Sequence, residues 1–383
     1  MKIVIDARWI FPELSGIGLY TRELIRNLAE IDSDNSYHLL FDSQETEERE
    51  GHETGFDAAA NFSVCHFRHG PFSPLSQLAL PQLLWRLRAD VFHSPNYMIP
   101  FAAFPRRKRG RTACVITIHD LIPLLFPHYT PRALKTRFFP VFKWVMRQAA
   151  IRADTVIAPS ESTRRDLIDE LYGGRAAEVA VVYQGVSSEY RPPAGEGSGE
   201  RPVILYVGRF DPYKNVSNLI SAFARLRREG LDAELRLVGS DDRRYPEARS
   251  LAHELGVDER IRWDGYLDGD GLLRAYQQAS LFVLPSRYEG FGLTVLEAMA
   301  CGTPVVCGNR SSLPEVVGDA AVSIDPDDVA ALADAIGRVL RDPELAAQLS
   351  EAGLERAAGF TWRRTAEQTL EVYSTLAGGG KND

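Results

Sequence analysis

The sequence predicts an α/β fold made of two parallel-sheet domains, and three observations carry that reading. Short runs rich in Val, Ile and Leu recur along the chain and alternate with amphipathic helical patterns. The runs are apolar throughout, as expected of strands covered by helices on both faces. The alternation comes as two series, separated by the Pro- and Gly-rich RPPAGEGSGERP (191–202), which suits a linker.

In the first series, KIVID (2–6) reads as a strand and YTRELIRNLAE (20–30) as the helix after it. VFHSP, CVITIHD and TVIAPS read as further strands. In the second series, PVILYVGR (202–209) precedes a helix near 215–229, with Asn215 in place to cap it. AELRLVGS, IRWDGYL, SLFVLPS and PVVCG continue the alternation. The last helix, near 362–377, follows Thr361, another capping residue. Ligands of open parallel sheets bind at the carboxyl ends of strands, so two such sheets joined by a linker are expected to face a cleft.

Composition agrees with this frame. The 383 residues are 45% apolar and 25% charged, which excludes a disordered, collagenous or coiled-coil chain. No apolar run approaches the roughly 18 residues of a membrane helix. MKIVIDARWI at the start reads as a strand and not as a signal peptide. Cys65, Cys114, Cys301 and Cys307 form no CxxC pair, which favours a reducing cytoplasm. A net charge of −8 argues against wholesale nucleic-acid binding. That charge is uneven. Residues 1–190 balance at 22 basic and 22 acidic side chains, while 86–152 alone carry 13 basic against Asp90 and Asp120. Such a concentration attracts phosphates or an anionic membrane surface, and a solvated face is the plainer alternative.

Chemistry concentrates in two segments. In PSRYEGFGLTVLEAMACGTPVVCG (285–308) a strand ends at Pro285 and a short loop leads into a helix from about Leu293. Gly290 and Gly292 let backbone N–H groups approach a phosphate at the helix N-terminus. Glu289 and Glu297, eight positions apart, supply acceptors for sugar hydroxyls. In YVGRFDPYKNVSNLISAF (206–223) a strand ends at Gly208, and the loop presents Arg209 and Lys214. Arg as a fork and Lys as a point charge can hold a diphosphate.

These segments, with SGIGLYTREL (15–24), resemble the retaining glycosyltransferases of family 4, and the resemblance runs over nearly the whole chain. It implies the GT-B fold, with Rossmann-like domains at 1–190 (acceptor side) and 203–360 (nucleotide-sugar side), a linker at 191–202, and a crossover helix and tail at 361–383. It assigns Arg209 and Lys214 to the donor diphosphate, Glu297 to the ribose and Glu289 to hydroxyls of the donor sugar. Ser286, Gly290, Phe291, Gly292, Leu293 and Thr294 would line the donor through backbone and side-chain groups. The loop of Gly16 and Gly18 would meet the donor phosphate. His119 and Asp120, at the end of a strand, would act near the reacting carbon. HDLIPLLFP and SSLPEVVGDAA (311–321) resemble a mannosyltransferase subgroup and point to GDP-mannose, with a UDP-sugar as the alternative. No cofactor beyond this donor is implied, and no metal. The acceptor would be a saccharide or a polyprenyl-linked saccharide in surface polysaccharide synthesis. A sugar-nucleotide epimerase and a non-catalytic nucleotide-sugar scaffold are the competing functions.

Three matches to a D-x-D metal pattern, at 32–34, 268–270 and 325–327, read as turns, and Cys301 and Cys307 as packing residues. RALKTRFFPVFKWVMRQAAIR (132–152) mixes six basic residues with aromatics, and Pro140 is expected to interrupt any helix there. With RRKRGR (106–111) this stretch is either a core helix with a basic outer face or a peripheral contact with the inner face of the cell membrane.

Overall fold

The computed structural model describes the chain except residues 13, 107–111, 128–138, 175–177, 196–200, 240–244 and 379–383. It contains two sheets. The first is built from β1 (Lys2–Ile5), β2 (Ser36–Phe41), β3 (Phe62–His66), β4 (Val91–Ser94), β5 (Ala113–Thr117), β6 (Thr155–Ala158) and β7 (Val179–Val181). Its order is β3-β2-β1-β4-β5-β6-β7, and every pairing is parallel. The second contains β8 (Val203–Val207), β9 (Glu234–Val238), β10 (Ile261–Gly265), β11 (Leu281–Leu284), β12 (Val305–Gly308) and β13 (Val322–Ile324). Its order is β10-β9-β8-β11-β12-β13, again parallel throughout. Both are doubly wound sheets that reverse direction once, beside β1 and beside β8. The central strands are fully covered: every residue of β4, β6, β11 and β12 is buried.

The chain divides into two compact units. One is Met1–Leu124 with Phe138–Gly185 and Trp362–Asp383; the other is Leu125–Arg137 with Val186–Thr361. The division falls at Gly185/Val186, before the Pro- and Gly-rich 191–202 stretch. Val186 already bridges to Thr361, and the Tyr190 ring packs edge-on against Tyr276 at 5.7 Å. Phe126 goes with the second unit, its ring 5.4 Å from that of Tyr288.

The terminal helix Trp362–Gly378 returns to the first unit, as expected of a crossover helix. A buried polar chain ties it down. Tyr373 Oη lies 2.6 Å from His93 Nδ1, His93 Nε2 lies 2.8 Å from Thr117 Oγ1, and Thr117 Oγ1 lies 3.1 Å from Tyr20 Oη. Thr365 Oγ1 donates to the Tyr183 carbonyl at 2.7 Å. These groups come from β4, β5, the helix Gly16–Ile31 and the terminal helix, so one network fixes four elements.

Within the described residues Pro140 is the second residue of the helix Phe139–Arg152, a first-turn position where a missing N–H costs little; residues 132–138, the other part of the stretch it is expected to interrupt, lie outside the described residues.

Candidate active site

In the second unit the strand order reverses between β8 and β11, so the loops after these neighbouring parallel strands emerge side by side. The β8 loop is pinned at its start. Gly208 N donates to the Val238 carbonyl at 2.9 Å, and the buried Tyr206 hydroxyl donates to the Arg209 carbonyl at 2.5 Å. A short 3-10 turn, Pro212–Lys214, follows. The β11 loop is fastened to it: Arg287 N donates to the Tyr213 carbonyl at 2.8 Å, and Arg287 Nη1 to that of Pro212 at 3.0 Å.

This fastening brings Lys214 and Glu289 together. Lys214 Nζ donates to both carboxylate oxygens, at 2.7 and 2.8 Å. The Glu289 backbone is clamped as well, its N–H donating to Ser311 Oγ at 2.8 Å and its carbonyl accepting from Ser312 Oγ at 2.9 Å. Arg209 reaches outward, 62% exposed, with Nε 2.7 Å from Oδ2 of the buried Asp211. Asp211 thereby orients the guanidinium fork. Asn215 does not cap its helix. It sits in the left-handed region at φ 62°, and its amide donates instead to the Pro326 carbonyl.

Glu297 lies inside the helix Leu293–Ala300 and is buried. Its carboxylate accepts from the Tyr276 hydroxyl at 2.7 Å, and the Tyr190 hydroxyl bonds it too. Burial raises its pKa to about 7, against the opposite pull of the two tyrosines. A carboxylate acceptor is thus held near neutrality, where a small gain in polar contacts ionises it.

Gly292 begins that helix at φ 115°, and a Cβ there would come 2.9 Å from Leu313 Cδ2. The N-cap Gly292 offers no side chain, so among the described residues the amides of the first turn, with Leu293 and Thr294 half-buried, carry no side-chain cap. Gly290 precedes it in the same loop. Phe291 is a core residue, its ring 5.9 Å from Phe360, so only its backbone suits a ligand. Ser286 is fully buried, and its hydroxyl has no hydrogen-bond partner among the described residues.

The first unit holds the remaining candidates. Gly16 and Gly18 are not in a loop. They belong to the first turn of the helix Gly16–Ile31, where Ser15 Oγ accepts from Gly18 N at 3.2 Å. A Cβ at Gly18 would meet Leu14 Cδ1 at 3.1 Å and the Trp9 carbonyl at 3.5 Å, so the helix start packs closely here and the leucine would have to shift to admit a side chain. His119 follows β5. Its Nε2 lies 3.1 Å from the Pro95 carbonyl and its Nδ1 3.0 Å from the Gln184 side-chain amide nitrogen. A carbonyl only accepts and an amide NH₂ only donates, so this geometry fixes the neutral Nε2–H tautomer. Burial lowers the His119 pKa to about 4. Asp120 Oδ1 accepts from Ile122 N at 3.0 Å, capping the next turn.

Asp6 and Arg8 have no local sequence signature. Just beyond β1 they form a buried ion pair at 2.6 Å, and Arg8 Nη1 also donates to Ser76 Oγ at 3.0 Å. Tyr190, Tyr276 and Gln184 escaped notice for a simpler reason: each acts only through a distant partner. The D-x-D aspartates serve local structure. Asp32 accepts from Tyr37 Oη at 2.5 Å, and Asp325 and Asp327 pair with Arg310 at 2.6 and 2.7 Å. Asp268 stands just before the helix Gly269–Gln278. Cys301 and Cys307 are buried, and burial pushes both thiols up to about 12. Of the basic stretches, 107–111 and 132–138 lie outside the described residues.

Comparison with known proteins agrees with this arrangement. Residues 14–190 match Glycosyltransferase Family 4, and 191–356 match Glycosyl transferases group 1. The chain is 30% identical to an O-antigen chain mannosyltransferase B of Escherichia coli, over 98% of this chain and all of that protein. It is 34% identical to a glycogen synthase of Mycobacterium tuberculosis, over 75% of this chain and 69% of that one. Among solved structures, a sucrose-phosphate synthase from Thermosynechococcus elongatus superposes with a TM-score of 0.78 at 22% identity, over 99% of this chain and all of that one. Anabaena HepE, solved with UDP and glucose, gives 0.73 at 22% identity over 98% of this chain and all of that one. Two doubly wound parallel sheets, charged loops at the second sheet's reversal point and these matches along the chain lead to one conclusion: the chain belongs to glycosyltransferase family 4 and has the GT-B fold.

Proposed function

We propose that this protein transfers mannose from GDP-mannose, with retention at the anomeric carbon. The acceptor is a saccharide or a polyprenyl-linked saccharide used in surface polysaccharide or glycoconjugate synthesis in the cytoplasm. The observation that carries the reading is the Lys214–Glu289 pair beside the outward-reaching Arg209. HDLIPLLFP and SSLPEVVGDAA favour mannose, as does the likeness to the Escherichia coli mannosyltransferase.

In this reading Arg209 and Lys214 grip the donor diphosphate, and the N-terminus of Leu293–Ala300 adds oriented amides. The bond between the anomeric carbon and the diphosphate oxygen breaks, and its electron pair stays on that oxygen. Arg209 and Lys214 neutralise the growing charge, so a metal is not required. The acceptor hydroxyl oxygen attacks from the face the diphosphate leaves, and its proton passes to the leaving phosphate. Glu289 accepts from sugar hydroxyls while keeping Lys214 extended. Glu297 accepts from the ribose. His119, neutral in its Nε2–H form, is a polar contact for the sugar and not a proton store.

The test is a transfer assay with GDP-mannose or UDP-glucose, with and without oligosaccharide and polyprenyl-phosphate-linked acceptors, in the presence of a chelator. Acceptor-dependent GDP release, giving an α-linked mannosyl product, supports the proposal. Acceptor-dependent UDP release overturns the donor. Epimerised nucleotide sugar without acceptor, or binding without turnover, overturns the transfer.

A further inference from the structure

We infer that one face of the first unit's sheet is a docking surface for an anionic lipid bilayer. The inference stands whichever nucleotide sugar is the donor.

Topology defines the face. The connections from β1 to β2 and from β2 to β3 cross the sheet in one direction; those from β3 to β4 and from β5 to β6 cross it in the other. Right-handed crossings therefore put the helices Pro74–Leu87 and Phe139–Arg152 on the same face, with Glu161–Tyr172 at its β7 edge, opposite Gly16–Ile31 and Gln44–Thr54. Both helices present large apolar side chains to solvent. Leu75, Leu78 and Trp85 line one stripe of the first, with Trp85 80% exposed. Val141, Trp144 and Ile151 line the second, with Trp144 58% exposed. Exposed apolar side chains clustered in this way mark an interaction surface. Tryptophan, with an apolar ring and one polar N–H, suits the headgroup level of a bilayer.

The charge identifies the partner. Trp85 lines a cavity of about 590 Å³ together with Pro81, Leu84, Arg86, Arg88 and Thr112. Arg86, Arg88 and Arg147 pair with no carboxylate among the described residues. The nearby acids are engaged: Asp90 accepts from Lys2 N at 2.7 Å, Asp154 from Cys114 N at 2.8 Å, and Glu170 pairs with Lys143 at 2.9 Å. Arg88 ends its helix in the left-handed region at φ 53°, where glycine would be unstrained. On the opposite face the helix Gln44–Thr54 is acidic, with Glu45, Glu47, Glu48, Glu50 and Glu53 against Arg49, while Gly16–Ile31 balances two Arg with two Glu. The part of the face formed by Pro74–Leu87 and Phe139–Arg152 is thus apolar and cationic, while the helix Glu161–Tyr172 at its edge carries Glu161, Asp166, Asp169 and Glu170, of which Glu161 pairs with Arg164 and Glu170 with Lys143. An anionic bilayer complements the apolar and cationic part: phosphates meet the free guanidiniums, and acyl chains meet Trp85, Leu78 and Trp144. Among the described residues no helix is long and apolar enough to cross a membrane, so the contact is interfacial.

The full chain is floated with vesicles of phosphatidylcholine alone and with vesicles of equal parts phosphatidylcholine and phosphatidylglycerol. The expected result is binding to the mixed vesicles, weakened by salt, and little to phosphatidylcholine. Arg86→Ala with Arg88→Gly should lower partitioning about 25-fold, roughly fivefold per charge. Trp85→Ser with Trp144→Ser should lower it further, with the melting temperature and nucleotide affinity unchanged. Arg88→Gly relieves the left-handed strain, so that variant keeps the fold. Equal partitioning into both vesicles, no binding at low salt, or variants that bind like the parent would overturn the inference. So would a concentration-dependent dimer that the tryptophan changes abolish, since a second copy would then cover the face.

Discussion

Lys214 donates to both carboxylate oxygens of Glu289, 75 residues away in the sequence. The contact exists because β8 and β11 are neighbours at the reversal of the second sheet, which sets their outgoing loops side by side. Each side chain is largely shielded from water, at 16% and 10% exposure, so the pair is held in place before any ligand arrives. A cation fixed in this way loses little on meeting a diphosphate.

Lys214→Ala should therefore lower kcat by about 100- to 1,000-fold, the usual scale for removing one preorganised charge. It also strands Glu289, so Lys214→Ala with Glu289→Gln should regain stability without regaining turnover. Steady-state kinetics and chemical denaturation separate the two effects. Near-normal turnover in Lys214→Ala would remove the diphosphate assignment.

Glu297 governs a pH effect of definite sign. Its folded pKa of about 7 exceeds the ordinary 4.5, so between those values the folded chain holds a proton that the unfolded chain has released. Stability contributed at this site falls as pH rises through that window, by up to about 3 kcal/mol. Glu297→Gln cannot ionise, so its stability relative to the parent should grow from about pH 5 to about pH 8. Denaturation at the two pH values checks this, and a constant difference would contradict it.

The histidines act in the opposite sense. Burial lowers His93 to about 3 and His119 to about 4. As pH falls below about 6.5 the unfolded chain takes up protons that the folded chain refuses, so stability is lost. Gln184→Leu removes the donor facing His119 Nδ1 but keeps the burial that lowers its pKa, so His119 should stay neutral at pH 7 while losing part of its preference for the Nε2–H form. Nitrogen-15 shifts of the imidazole should report Nε2–H in the parent. Protonated Nδ1 would contradict the assignment.

Tyr373→Phe removes the hydroxyl from His93 Nδ1 and should cost about 1–3 kcal/mol, the usual price of a buried group left unpaired. Amide exchange in Trp362–Gly378 should quicken while exchange in β8 and β11 stays slow. Uniform acceleration would show that the network does not act locally.

Much of this was readable from the residues, and the exceptions have physical causes. Central strands such as LFVL (281–284) announce themselves because both faces are buried. Ser36–Phe41, Phe62–His66, Val179–Val181 and Val322–Ile324 escaped the reading. All four pair at or next to a sheet edge, and none is buried along its whole length. The loops of Arg209 and Glu289 were legible because charged residues and glycines at strand ends have few structural uses. Gly16 and Gly18 misled because the helix starts at the Ser15 cap, ahead of its apolar stripe. Asn215 misled because capping depends on a backbone conformation that residue type does not fix, and here φ is 62°. The His93–Tyr373 contact spans 280 residues and has no local signature.

The most direct test of the central claim is calorimetric titration of the full chain with GDP, UDP, ADP and TDP without added metal, repeated on Lys214→Ala. The parent should bind GDP most tightly of the four, and the variant should bind it much more weakly. Tighter binding of UDP would contradict the mannose donor, and equal affinity of parent and variant would contradict the role given to Lys214.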